Sequence, residues 1–138
     1  MPDPARTRAA ISGRSDAEIL SWIERVGGVD VFLEQAFSGI QDAFVAERAG
    51  DKRAVIEWDI GTPDRGVLRF QVRIEGGQCE VEAGPSTTPT VVLGVNLADF
   101  VRLILGTLDG NAAVDAGRLA VSGDRVLAGE LKDWFPVG

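Results

Sequence analysis

Apolar residues first recur at helical spacing in two segments near the start of the chain. Ser15 and Glu18 form a capping box, and the apolar positions after it predict a helix that ends at Gly27-Gly28. A longer apolar stripe predicts a second helix, from about Asp30 to Glu47. Gly39 lies inside this helix, where it favours close packing against a neighbouring element.

The period of the pattern changes to two after Gly50. Two strands are predicted, with apolar residues alternating over 54–60 and again over 68–74. Gly76-Gly77 is typical of a two-residue hairpin turn, which leads into a third strand. This turn would pair Ile74 with Cys79 and Arg73 with Glu80, which puts the apolar residues on one face and a charge pair on the other.

The stretch Thr90 to Leu108 is the most apolar part of the chain. Its opening run, 91–95, predicts a strand that is covered on both faces. Asn96 is a candidate N-cap of the helix that follows, in which Asp99 and Arg102 are expected on the side away from the apolar stripe. Gly106 is expected to end the helix in a left-handed conformation.

The remaining pattern predicts a short helix over 109–115, a strand over 117–122 and a final helix over 125–135. In order, the chain has two helices, three antiparallel strands, a strand, a helix, a strand and a helix. We therefore expect an α+β fold with a mainly antiparallel sheet of five strands and helices on one face.

Length and composition narrow the class of protein. The 138 residues fit a flexible N-terminal lead, 1–14, and one domain, 15–138. A net charge of −7 argues against nucleic acid as a partner. Charges interrupt the longest apolar stretch, which argues against stable membrane insertion, and we expect no signal peptide because the first ten residues lack an apolar h-region. The single cysteine indicates a reducing compartment, and we expect a cytoplasmic protein.

The chain contains few side chains that are typical of catalytic or metal-binding sites. The chain has no histidine and no tyrosine, and Cys79 falls on the apolar face of its strand. Carboxylate pairs occur at Glu57 with Asp59 and at Glu80 with Glu82, where a solvated sheet face explains them better than acid–base catalysis. We therefore expect a binding protein rather than an enzyme, with no metal and no cofactor.

The succession VVLGVNLADFVRLILGTLDGNAAVDAGRLAVSGDRVLAGELKDWF resembles the sterol carrier protein type 2 (SCP-2) sterol-transfer family. Gly117, Leu119, Val121, Gly123 and Asp124 match that family's Gly-x-Leu-x-Val-x-Gly-Asp strand. The resemblance implies helices over a five-stranded sheet that enclose a hydrophobic tunnel. It also implies a lipid such as a fatty acid, a fatty acyl-CoA or a sterol as the ligand, which the protein binds or transfers.

Bulky apolar residues of the sheet and helices are the candidate ligand contacts: Phe37, Phe44, Trp58, Phe70, Phe100, Ile104, Leu119, Val121, Leu127, Leu131, Trp134 and Phe135. A carboxylate or CoA head group would require a cation, for which Arg102, Arg118, Arg125 and Lys132 are candidates. The alternative is an interaction module with a filled core that pairs with itself, as a homodimer, or with another protein.

Overall fold

The computed structural model describes residues 11–135, and for Lys132 it describes the backbone alone. The helices are α1 (Asp16–Arg25), α2 (Val29–Ala43), α3 (Ala46–Ala49), α4 (Leu97–Ile104), α5 (Gly110–Asp115) and α6 (Arg125–Trp134). The strands are β1 (Ala54–Gly61), β2 (Val67–Glu75), β3 (Gln78–Ala83), β4 (Val91–Asn96) and β5 (Leu119–Gly123). Within residues 11–135, no helix is both long and apolar enough to cross a membrane.

The five strands form one mixed sheet in the order β3-β2-β1-β4-β5. Three pairs of neighbouring strands are antiparallel, and β1 and β4 are parallel because the chain crosses over between β3 and β4. The predicted fold class, an α+β domain with a mainly antiparallel sheet of five strands, is confirmed.

The β2–β3 hairpin has the predicted register. Ile74 faces Cys79 and Arg73 faces Glu80 across the Gly76-Gly77 turn. Both glycines have positive φ, 59° and 73°, as a primed two-residue turn requires. Turn chemistry and alternating polarity agree at this point, and together they determine which face of the hairpin is apolar.

Side-chain caps fix the starts of four helices, α1, α4, α5 and α6. The Ser15–Glu18 capping box of α1 is present as predicted. Asn96 accepts a hydrogen bond of 2.8 Å from the backbone of Asp99, and Asp124 caps α6 in the same way. These caps set the points at which α4 and α6 leave the sheet.

The prediction of a single helix over 30–47 is wrong. The chain leaves the helix at Phe44, which is extended (φ −62°, ψ 129°), and then forms the separate short α3. The amide of Val45 donates a hydrogen bond of 2.8 Å to the carbonyl of Trp134, and the ring of Phe44 lies 5.4 Å from that of Phe135. Contacts with α6 therefore outweigh the local preference for a continuous helix.

The helices cover the sheet face that carries Ile56, Trp58 and Val72. Burial alternates along β4, where Val92 and Gly94 are only half-buried, so the expected coverage of this strand on both faces is wrong. On the outer face, the loop between β3 and β4 lies over part of β1, since the amide of Ser86 donates to Glu57. The apolar interior therefore lies between the sheet and one layer of helices.

Residues 1–10 of the predicted flexible lead lie outside the described residues. The described remainder, 11–14, contacts the domain. Ile11 is 1% exposed in the core, and the carbonyl of Arg14 accepts a hydrogen bond of 2.9 Å from Arg102. The packed part of the chain thus includes residues that precede the capping box.

Candidate functional site

A cavity of about 1140 Å³ lies between the inner face of the sheet and the helices α2, α4, α5 and α6. Its floor consists of apolar side chains of four strands, namely Ile56, Trp58, Val72, Leu93, Leu119 and Val121. Its opposite wall includes Ile104, Leu108 and Leu131, and its rim includes exposed residues of α2, α5 and α6. The cavity is at the upper end of the size range of small-molecule sites in proteins, and it opens to solvent between the helices.

Small residues on two helices explain why this space is empty. The face of α2 that lines the cavity carries Ala36, Gly39 and Ala43, and α6 contributes Ala128 and Gly129. A Cβ atom added at Gly39 or Gly129 would meet no atom within 4 Å. The expectation of close packing at Gly39 is therefore wrong, because this position faces open space. Because the helices present small residues here, their side chains do not fill the space between the helices and the sheet.

The structure places six of the twelve predicted contact residues in the wall of this cavity: Trp58, Ile104, Leu119, Val121, Leu131 and Phe135. They come from β1, β5, α4, α6 and the residue directly after α6. The tunnel that the family resemblance implies appears here as a cavity, and a through-channel stays a prediction.

The other six predicted residues, Phe37, Phe44, Phe70, Phe100, Leu127 and Trp134, are absent from its lining. The ring of Phe37 stacks on Phe70 at 4.4 Å and on Phe100 at 5.5 Å. Phe100 is fully buried, and its ring meets Trp58 edge-on at 5.2 Å. We call Phe37, Phe70 and Phe100 the aromatic stack, which fills the interior beside the cavity.

The C-terminal end of α6 is attached to α3 and its flanks. Arg48 donates to the carbonyl of Asp133 at 3.1 Å, and Lys52 lies 3.3 Å from Glu130. Trp134 is 2% exposed and anchors the helix in the core. This wall of the cavity is therefore fixed at the end of α6 as well as at its capped start.

Two of the four candidate cations for a head group lie elsewhere, because both bind Asp99. Asp99 is 2% exposed, so the expectation that it faces away from the core is wrong. Arg102 contacts it at 2.7 Å and also reaches Asp16 of α1 at 2.6 Å. Arg118 forms two hydrogen bonds with the same carboxylate. These ions join α1, α4 and the segment before β5.

The charge of Asp99 depends on these arginines. Burial by itself raises the pKa of Asp99, but the hydrogen bonds from Arg118 and Arg102 outweigh it and hold the pKa below its usual value. These ion pairs stabilise the ionised carboxylate in the interior, and neither arginine is in the lining of the cavity.

The cavity rim is acidic. Asp109, Asp115 and Asp133 lie in the lining, and Arg125 is the one cation there among the side chains that the structure describes. The side chain of Lys132, the fourth candidate cation, lies outside the described residues. Asp109 also caps α5 by accepting a hydrogen bond of 3.0 Å from Ala112.

The carboxylate pair Glu57 and Asp59 lies on the outer face of the sheet, away from the cavity. Burial, together with the neighbouring Glu57, raises the pKa of Asp59 to about 6. The hydrogen bond from Asp59, with that from the Ser86 amide, lowers the pKa of Glu57. Arg69 lies 3.5 Å from Asp59. The acid–base chemistry of the Glu57–Asp59 pair therefore has no access to the cavity.

Two other groups considered from the sequence lie in ordinary surroundings. Arg73 lies 3.3 Å from both Glu80 and Glu82, which places this second pair in a surface ion-pair network. Burial raises the pKa of the Cys79 thiol to about 11, so it is not an activated nucleophile.

Sequence reasoning missed the lining that comes from α2. Ala36, Gly39, Ile40 and Ala43 follow a helical spacing, and three of the four are small. A stripe of small residues inside an apolar helix face was the available signal. Such a stripe more often packs against another element, so by itself it does not predict a cavity.

Comparisons with known proteins find the same fold. The chain is 26% identical over 100 residues to hydroxysteroid dehydrogenase-like protein 2 of Rattus norvegicus, a match that covers 72% of this chain and 19% of that protein. The chain thus spans about a fifth of the length of this curated relative.

Two solved structures share the architecture. Sterol Carrier Protein 2 Like 2 from Aedes aegypti superposes with a TM-score of 0.64 at 25% identity, over 77% of this chain and 98% of that one. The sec-alkylsulfatase Pisa1 from Pseudomonas sp. contains a region of similar fold, with a TM-score of 0.61 at 14% identity, over 70% of this chain and 15% of that one.

The model of the SCP-2 sterol transfer family matches residues 33–136, a range that runs from α2 to the end of α6 and includes the cavity walls. The predicted resemblance is therefore confirmed, and this chain belongs to the SCP-2 sterol transfer family.

Proposed function

We propose that this protein binds one long-chain lipid, such as a fatty acid, a fatty acyl-CoA or a sterol, in the cavity beneath α2 and α6, and that it does so without catalysis. The observation that carries the proposal is the empty apolar volume between sheet and helices. The SCP-2 family supports a general role in lipid binding or transfer. Trp58, Ile104 and Leu131 are proposed contacts, because each combines an apolar surface with a place in the lining.

The cavity can supply useful affinity without precise polar contacts. Burying a methylene contributes about 0.8 kcal/mol, so about a dozen contribute about 10 kcal/mol. Association and ordering costs of about 4 kcal/mol leave about 6 kcal/mol, which corresponds to a Kd of tens of micromolar. That strength suits a carrier, which has to release its ligand.

The test fills the cavity. The double variant Gly39→Phe/Gly129→Phe places two rings at positions where an added Cβ meets open space. We expect binding of a fluorescent fatty acid, acyl-CoA or sterol to fall at least about tenfold, since each lost methylene contact costs about fourfold in affinity. Fluorescence titration of each probe measures this.

The matched control is Ser38→Phe/Val126→Phe, which adds the same rings at exposed positions of α2 and α6 outside the lining. It should bind like the original chain. If no probe binds the original chain with saturation, or if both double variants bind equally well, the proposal is refuted.

The interaction module with a filled core loses its premise, because the interior contains the cavity. Pairing through an exposed strand edge or through the start of α6, where Val126 is 77% exposed, remains compatible with lipid binding. The homodimer stays a prediction, for which the mass of the protein in solution is the measurement.

A further inference from the structure

The charges around the cavity favour one class of ligand head group. Arginines near a lipid site ordinarily pair with a carboxylate or phosphate. Here Arg102 and Arg118 lie on Asp99, which is buried and needs both of them. Both guanidinium groups are paired within the fold, and neither arginine is in the lining of the cavity.

The rim itself has the opposite charge. Carboxylates of Asp109, Asp115 and Asp133 outnumber the guanidinium of Arg125 three to one among the described lining side chains. All four residues are exposed, and no ion pair links Arg125 to a carboxylate within residues 11–135. Gln35 and Asn111 add neutral amide groups that donate and accept hydrogen bonds.

These three carboxylates come from two elements of the rim. Asp109 precedes α5, Asp115 ends it, and Asp133 lies near the end of α6. A head group at the mouth would thus meet negative charge from both elements that form this side of the rim. An anion there loses water and faces like charges, whereas an ammonium or a hydroxyl group finds acceptors.

We propose that the cavity takes a long-chain lipid whose head group is uncharged or positively charged, and that it disfavours fatty acids and acyl-CoA. This inference rests on the proposed function, and among the three ligands left open there it favours the sterol, which is uncharged, over the two anionic lipids. For one alkyl chain, the affinity order is ammonium, then hydroxyl, then carboxylate.

The expected differences are moderate because the rim is exposed to solvent. A single exposed charge pair changes affinity by about twofold to fivefold. With three carboxylates and one guanidinium near the head group, dodecylamine should bind about tenfold more tightly than dodecanoate, with dodecanol between them. Higher salt should narrow this range, since it screens exposed charges.

The experiment measures binding of dodecylamine, dodecanol and dodecanoate to the full chain by isothermal titration calorimetry at neutral pH. The rim variant Asp109→Asn/Asp115→Asn/Asp133→Asn removes the carboxylates and keeps an Asn cap on α5. It should lose most of the preference for amine over carboxylate.

A variant with the same net charge separates the rim from the acidic protein as a whole. Glu47→Gln/Asp51→Asn/Asp64→Asn neutralises three exposed carboxylates outside the lining, and it should keep the full preference. Urea denaturation of both triple variants checks that the fold is intact.

Two results would overturn the inference while the proposed function survives. One is dodecanoate binding as tightly as dodecanol in the original chain, and the other is an equal loss of preference in both triple variants. Failure of all three probes to bind, by contrast, would refute the proposed function and this inference with it.

Discussion

The two ends of the apolar interior differ in the size of the side chains that face each other. At one end the aromatic stack of Phe37, Phe70 and Phe100 fills the space between sheet and helices. At the other end, Gly39 and Gly129 leave it empty. The same helix, α2, contributes to both ends, since Phe37 lies on it one turn or less from Ala36 and Gly39.

This difference shows that hydrophobic pattern and side-chain volume carry separate information. The apolar face of α2 continues beyond its last buried residue, Phe37, to Ile40 and Ala43, which line the cavity. Volume then decides whether that face closes the interior or lines a cavity. Packed interiors tolerate few voids, so a cavity this large indicates a site rather than poor packing.

The largest effect is expected when one side chain is truncated at each end of the apolar interior. Phe100→Ala should lower the free energy of unfolding by about 3–5 kcal/mol, because it creates a void inside the aromatic stack. Ile104→Ala should lower it by about 1–2 kcal/mol, because Ile104 is half-buried and already faces the cavity.

Urea denaturation measures both changes, and binding of dodecanol provides the second readout. We expect Ile104→Ala to weaken that binding and Phe100→Ala to leave it within about twofold, provided that the variant is folded under the assay conditions. Equal stability losses at the two positions would mean that the interior is uniformly packed.

The outer face of the sheet offers a change that should affect stability and not binding. Asp59 has a folded pKa of about 6, above its ordinary value of 3.8, so the folded state favours its protonated form. Its stabilising contribution is therefore present below about pH 4 and is lost as the pH rises through about 6.

Asp59→Asn should thus be more stable than the original chain above about pH 6, by about 1–2 kcal/mol, and this advantage should vanish toward pH 4. Denaturation across this pH range checks the prediction. A constant difference would show that Asp59 does not titrate in this window, and altered dodecanol binding would contradict the separation of the two faces.

The smallest expected effect concerns Gly39. Replacing it with alanine should stabilise the protein by about 0.5–1 kcal/mol, since helix propensity improves and the new methyl meets open space. Ala98→Val is the counterpart in the packed region, where Ala98 is 3% exposed, and overpacking there should cost about 1–3 kcal/mol. Thermal unfolding measures both, and a destabilised Gly39→Ala variant would argue against an open cavity at that position.

Short-range patterns predicted the elements well because local chemistry determines them. The Gly76-Gly77 turn permits few registers, and a polar side chain at Ser15 or Asn96 satisfies backbone amides that the helix leaves free. The resemblance of residues 91–135 to a known family then implied helices over a five-stranded sheet with an apolar site between them.

Features that depend on distant residues were not predictable in the same way. The break at Phe44 arises from contacts with Trp134 and Phe135, about ninety residues further along. The burial of Asp99 depends on Arg118, which reaches it only once β5 has paired with β4. Six of the twelve expected contacts proved to lie outside the lining, because aromatic size predicts burial and not the location of a void.

The bond between the amide of Val45 and the carbonyl of Trp134 has a consequence for synthesis. The wall that α6 provides is added after every strand of the sheet has been translated, and a nascent chain that ends at β5 exposes the apolar floor to water. Such a chain should recruit chaperones or aggregate until residues 125–134 emerge from the ribosome. A lipid that arrives before then would meet an open trough rather than a pocket.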